Sequence, residues 1–100
     1  MTYGLKFHRD VEKQLRRIPK KQKARLASAM RELRDEPRPS GNIKLDDRLY
    51  RIRVGQYRVI YAVFDDEVVV IVVKVVRRTE KTYRDLKALL DRSEKEMQEK

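Results

Sequence analysis

Cysteine is absent from the 100 residues, and histidine occurs once, as His8. The first absence excludes disulfide staples, cysteine zinc sites and thiol nucleophiles, and a lone histidine excludes a histidine metal cluster. Since no group of carboxylates reads as a metal site either, neither a metal nor a cofactor is expected. No stretch approaches the ~18 apolar residues of a membrane span, and the N-terminus lacks the apolar run of a signal peptide. The expected setting is therefore the cytoplasm, with no membrane partner. Proline and glycine number three each, and only one stretch of any length reads as loop, that of Pro37, Pro39, Ser40 and Gly41. Negative charge is in short supply: 16 Asp and Glu face 26 Lys and Arg, which gives a net charge of +10.

Apolar residues make up 40% of the chain and are gathered into runs such as Val68 to Val73, dense enough to bury a core, so disorder of the whole chain is not expected. The length suits one domain, residues 1–100, with a radius of gyration of about 13 Å. Charge is unevenly spread. Residues 1–34 hold eleven basic and three acidic side chains, a footprint that draws polyanions by counterion release and long-range steering.

Hydrophobic spacing divides the chain into elements. Tyr3, Leu5 and Phe7 alternate, as in a strand buried on one face. Val11, Leu15 and Ile18 then recur at helical spacing, Pro19 interrupts, and Leu26, Met30 and Leu33 with Ala27 form a second helical stripe over residues 20–35. Strand-like segments follow at Ile43–Leu45, Leu49–Val54, Tyr57–Phe64 and Glu67–Val76. Gly55-Gln56 suits a two-residue hairpin turn with glycine first, and Asp65-Asp66 suits another. Both turns predict antiparallel neighbours. The apolar run to Val76 predicts an inner strand covered on both faces, by the helical hairpin on one side and, in part, by a final helix carrying Tyr83, Leu86, Leu89 and Leu90 on the other. Thr82 or Thr79 would cap that helix. The expected fold class is α+β: an N-terminal strand, a helical hairpin packed on an antiparallel sheet, and a C-terminal helix.

The turn fixes a register. With Gly55 and Gln56 as the loop, Arg53 opposes Arg58 and Arg51 opposes Ile60, so Arg51, Arg53 and Arg58 share one face. Tyr50, Ile52, Val54, Tyr57, Val59 and Tyr61 take the other, under the helices. Three guanidinium groups on one patch repel one another, and their own strands supply no carboxylate, so an anionic ligand is the expected counter-charge. Continued through Asp65-Asp66, the alternation places Val69, Ile71, Val73, Val75 and Arg77 on the arginine face. His8 is expected as a strand-end surface residue, away from this patch.

The segments LYRIRVGQYRVIYAV and VVVIVVKVVRRTEKTY, in this order of elements, resemble the RelE/ParE toxin superfamily, and within it RelE-like toxins of type II toxin-antitoxin systems. The resemblance implies a ribosome-dependent mRNA endonuclease that cuts A-site mRNA and inhibits translation. It implies active-site roles for Arg51, Arg53, Arg58, Arg78 and Tyr83, with Arg77 as the alternative to Arg78 at the phosphate. A cognate acidic, RelB-like antitoxin is the implied partner, along with the ribosome. Lys20, Lys21, Lys23 and Arg25 in the hairpin are expected to touch rRNA phosphates without reading sequence. Arginine, with a pKa above ~12, is a poor base and a good anion clamp. Tyr83 is the one nearby group with a proton to trade, its pKa drawn down from about 10 by flanking cations. Two other readings remain open: a ParE-like toxin that binds DNA gyrase, and a nonenzymatic basic RNA-binding protein. The final helix, with the short stripe Leu86, Leu89 and Leu90 ahead of a charged tail from Asp91 to Lys100, is expected to dock weakly and to be displaced by the antitoxin.

Overall fold

A computed structural model of the protein describes residues 2–77 and 86–98. The elements run β1 (Gly4–Phe7), α1 (Arg9–Arg16), α2 (Lys20–Glu32), β2 (Ile43–Asp46), β3 (Leu49–Val54), β4 (Tyr57–Phe64), β5 (Val69–Arg77) and α3 (Leu86–Gln98). The five strands form one sheet in the order β1-β5-β4-β3-β2. Its three hairpin-linked pairings are antiparallel, but β1 runs parallel to β5, with Gly4 opposite Val69 and Phe7 opposite Val72. The sheet is therefore mixed, where an antiparallel one was expected. A parallel partner needs a long crossover, and the helical hairpin within the β1-to-β5 connection supplies part of it.

Each face of the sheet carries its own core. Under α1 and α2 lie Val11, Ile18, Leu26, Met30 and Leu33, packed on Tyr50, Ile52, Tyr57, Val59, Tyr61, Val63, Val70, Val72 and Val75. The opposite face holds Leu49, Ile60, Ala62, Phe64, Ile71 and Val73 with Leu89 of α3, and Leu90 and Met97 pack against them. The C-terminal tail is thus largely helix: α3 continues through Asp91 to Gln98. Ser93 is fully buried because its hydroxyl donates to the Leu90 carbonyl at 2.7 Å, which hides its polarity inside the helix's apolar stripe.

Two departures from simple alternation shape β5. Phe64 pairs with Val69, so the connection after β4 is four residues rather than two, and Val68 sits in it at a φ of 58°. Adding two residues preserves which side chains share a face. A bulge then breaks the alternation: Tyr61 pairs with Val72 while Ile60 pairs with Lys74, leaving Val73 as the extra residue. Beyond it, Val75 opposes Val59 and Arg77 opposes Tyr57. Both move to the helical-hairpin face, against the expectation from strict alternation, and Lys74 takes their place on the arginine face.

Candidate functional site

The hairpin of β3 and β4 builds the site. Arg53 pairs with Arg58, Val54 with Tyr57 and Arg51 with Ile60, the register the Gly55-Gln56 turn predicts. Gly55 sits at φ 60°, and a Cβ there would meet Arg25 Nη1 at 3.2 Å. The close approach brings Arg25 of α2 over the hairpin tip. Arg51, Arg53 and Arg58 consequently project to one face, though to different depths. Arg53 is exposed and Arg58 half-buried. Arg51 is only 7% exposed, well short of an open surface position, and its Nε has no hydrogen-bond partner among the described residues. Arg51 and Arg53 make no ion pair among the described residues. A guanidinium cannot discard its charge on burial, so Arg51 is a fixed positive charge set beneath the more accessible pair. Arg78 and Tyr83, the other residues implied for the site, lie outside the described residues.

Beside Arg53 no strand among the described residues pairs with the sheet edge. β2 pairs only with Leu49–Arg51, and a cleft of about 360 Å³ lies next to Ile52, Arg53 and Val54, walled by Pro39, Ser40 and Gly41. That wall is fixed by a network no local pattern announced. Arg38 donates to Asp65 Oδ2 at 2.6 Å and, through Nε, to the Tyr50 hydroxyl at 3.0 Å, while the Tyr3 hydroxyl donates to Asp65 Oδ1 at 2.8 Å. Tyr61 donates to the Pro37 carbonyl at 2.6 Å. The Arg38 hydrogen bonds, with a second from Tyr3, hold the Asp65 carboxyl below its usual range, and Arg38 is raised chiefly by Asp65 in return. Burial pushes the Tyr61 phenol up, which keeps it a neutral donor. Pairs separated by 12 to 62 positions in the chain make up this lock, so only a tertiary structure reveals it.

His8 proves to be the N-cap of α1, its Nδ1 accepting from the Asp10 amide at 3.1 Å, and its side chain is 14% exposed. It stands at the strand end, as expected, but is half-buried rather than open. Asp10 in turn pairs with Arg92 of α3 at 3.3 Å. Burial lowers the His8 pKa, with the Arg92 charge adding to it and Asp10 opposing. Since the folded value lies below the unfolded ~6.5, the unfolded chain binds protons first as pH falls. The stabilisation is complete above the unfolded value and is lost as pH drops toward the folded one. The urea midpoint should therefore fall between pH 7 and 5, and His8→Asn, which keeps a capping oxygen, should flatten that fall. An equal fall in the variant would remove His8 from the explanation.

The remaining candidates lie on the hairpin face. Lys20, Lys21 and Arg25 are exposed and Lys23 is half-buried. α2 has no side-chain cap at Pro19 and no acid in its first turn, so its positive N-terminal dipole end reinforces these lysines rather than being offset.

Residues 5–82 match the family described as the ParE toxin of type II toxin-antitoxin systems, parDE. This chain belongs to the RelE/ParE toxin superfamily. Its RelE-like character comes from its relatives. The archaeal RelE of Pyrococcus horikoshii OT3, solved in complex with RelB, is 34% identical with a TM-score of 0.69, covering 78% of this chain and 97% of that one. The isolated Escherichia coli RelE toxin superimposes with a TM-score of 0.68 at 26% identity, over 89% of this chain and 97% of that one. A candidate toxin named RelE1 from Methanocaldococcus jannaschii is 29% identical over 78% of this chain and 92% of its own length. The protein is thus a RelE-like toxin of a toxin-antitoxin system. No helix among its described residues is long and apolar enough to cross a membrane.

Proposed function

We propose that this RelE-like toxin is an endoribonuclease that cleaves mRNA in the ribosomal A site. The observation that carries the reading is the convergence of Arg51, Arg53 and Arg58 on one sheet face with no paired carboxylate for Arg51 or Arg53 among the described residues. In the reaction, the 2′-oxygen of the substrate attacks the adjacent phosphorus while the bond to the 5′-oxygen breaks. The 2′-hydroxyl proton goes to a base, and the departing 5′-oxygen takes a proton from an acid. The nucleophile comes from the RNA itself, so the protein's task is to stabilise charge on the phosphorane and to move protons. Arg58 and, from the resemblance, Arg78 suit the scissile phosphate. Arg53 suits a neighbouring phosphate, and the buried charge of Arg51 strengthens the field under both. Tyr83 is assigned to acid-base work on the resemblance alone. A site so poor in proton carriers gains from a ribosome that holds the codon in place, since positioning removes an entropic barrier of several kcal/mol, up to ~7–11 for ideal alignment.

The ParE name of the matching family favours a second reading, in which the same fold binds DNA gyrase and cuts no RNA. Primer extension on ribosomes stalled over a defined message, run beside a gyrase supercoiling assay, separates the two. New 3′ ends at the A-site codon with unimpaired supercoiling support the nuclease; supercoiling inhibition with intact message overturns it. The net charge of +10 favours an acidic antitoxin as partner, and adding such a protein should suppress cleavage in the same assay.

A further inference from the structure

The outer edge of β5 is only half covered. β1 pairs with Val69–Val72, and among the described residues no strand pairs with the outer edge from Lys74 to Arg77. The end of α1 packs there instead, with Gln14 Oε1 accepting from the Val75 amide at 2.9 Å. A cleft of about 380 Å³ opens at this junction. Arg17, Lys74 and Arg77 line it, no carboxylate does, and none of the three makes an ion pair among the described residues.

We propose that this cleft is a second phosphate site, which holds the backbone of single-stranded RNA where the strand passes round the edge of the sheet. The inference rests on the RNA-cleaving reading and extends its substrate path. The bulge at Val73 sets the geometry: Lys74 lies on the arginine face and Arg77 on the helical-hairpin face, so the cleft joins the two around an unpaired strand edge. Arg58 pairs with Val76 in this same stretch, which makes the cleft continuous with the arginine face. Two guanidinium forks and one ammonium match phosphate oxygens in geometry and charge. Gln14, held by its bond to Val75, keeps two amide hydrogens for a phosphate or a ribose hydroxyl. Ile18, Val75 and Val76 add an apolar wall on which a sugar can rest. An acidic peptide would meet the charges but would have no use for the continuity with the arginine face.

The test is a titration without ribosomes, using 2′-O-methyl hexauridylate, which lacks the nucleophile and cannot be cut. Isotope-labelled protein should show shifts at the Gln14 side-chain amide and the Val75 amide. The double variant Arg17→Gln/Lys74→Gln should lose those shifts. Its slope of log Kd against log salt should fall by about 1.4, from roughly 0.7 per phosphate contact on single strands. Arg17→Lys/Lys74→Arg should keep the slope, and matching urea midpoints would show that all three proteins are folded. Shifts confined to β3 and β4 with an unchanged slope would overturn the cleft and leave the nuclease reading standing. Shifts produced by oligoglutamate and not by the RNA would overturn it in favour of an acidic protein ligand. Binding at the cleft by a protein that fails to cut on ribosomes would sustain the cleft and sink the nuclease.

Discussion

Replacing Arg58 by alanine is expected to slow cleavage of A-site codons by about 10²–10³-fold, the loss of ~2.7–4 kcal/mol that follows removal of one preorganised charge donor from a transition state. The expectation follows from position. Arg58 stands directly opposite Arg53, on the inner strand of the hairpin, where flanking β-strands hold it in place before substrate arrives. Its stem is partly buried, so the variant's urea midpoint must be measured alongside its rate. A midpoint within ~1 kcal/mol of the parent with a hundredfold slower reaction assigns the effect to chemistry. Cleavage at the parental rate would remove Arg58 from the mechanism, and with it the argument from clustered arginines.

A second large effect belongs to stability. Leu26 is fully buried and lies on the one face of α2 that meets the sheet. Leu26→Ala should cost about 2–5 kcal/mol, the transfer free energy of the lost methyl groups plus that of the cavity left behind. Against a total of ~5–15 kcal/mol for a domain, that is a large fraction of the whole. The contrast is Lys21→Ala on the exposed side of the same helix, which should shift stability by less than ~0.5 kcal/mol. Urea unfolding of both variants decides the matter, and a loss under ~1 kcal/mol for Leu26→Ala would mean that the helix is not docked through this residue.

Much of this architecture was legible because turn chemistry and periodicity agree. Gly55-Gln56 closes a two-residue hairpin, the boundaries of β3 and β4 follow from the flanking alternation, and the shared face of Arg51, Arg53 and Arg58 follows from both. The bulge was hidden for a physical reason. Val68 to Val73 and Val75-Val76 are alike on either face, so no polar residue marks the slip except Lys74, whose charge inside an apolar run is the one clue that it must face outward. The place of Ser93 in the apolar stripe of α3 was hidden as well, because a hydroxyl that donates to its own helix backbone behaves as a small apolar residue. The capping role of His8 was hidden because capping is a matter of backbone direction at a strand-to-helix corner. The burial of Arg51 and the Arg38 lock depend on chain segments brought together from afar, which no local pattern encodes.

The extra residue in β5 also governs how this surface can change over evolutionary time. Substitution at Val73 trims one apolar contact, as at any other core position. Deletion of it would close the bulge and leave Lys74 opposite Ile60 and Arg77 opposite Tyr57, whereas keeping the residue in a regular ladder would set Lys74 opposite Val59 and turn Lys74, Val75, Val76 and Arg77 each to the other face. A relative with such a regular ladder must therefore carry its basic residues one position away to present the same charge. An ungapped alignment of two such chains would match residues that point in opposite directions.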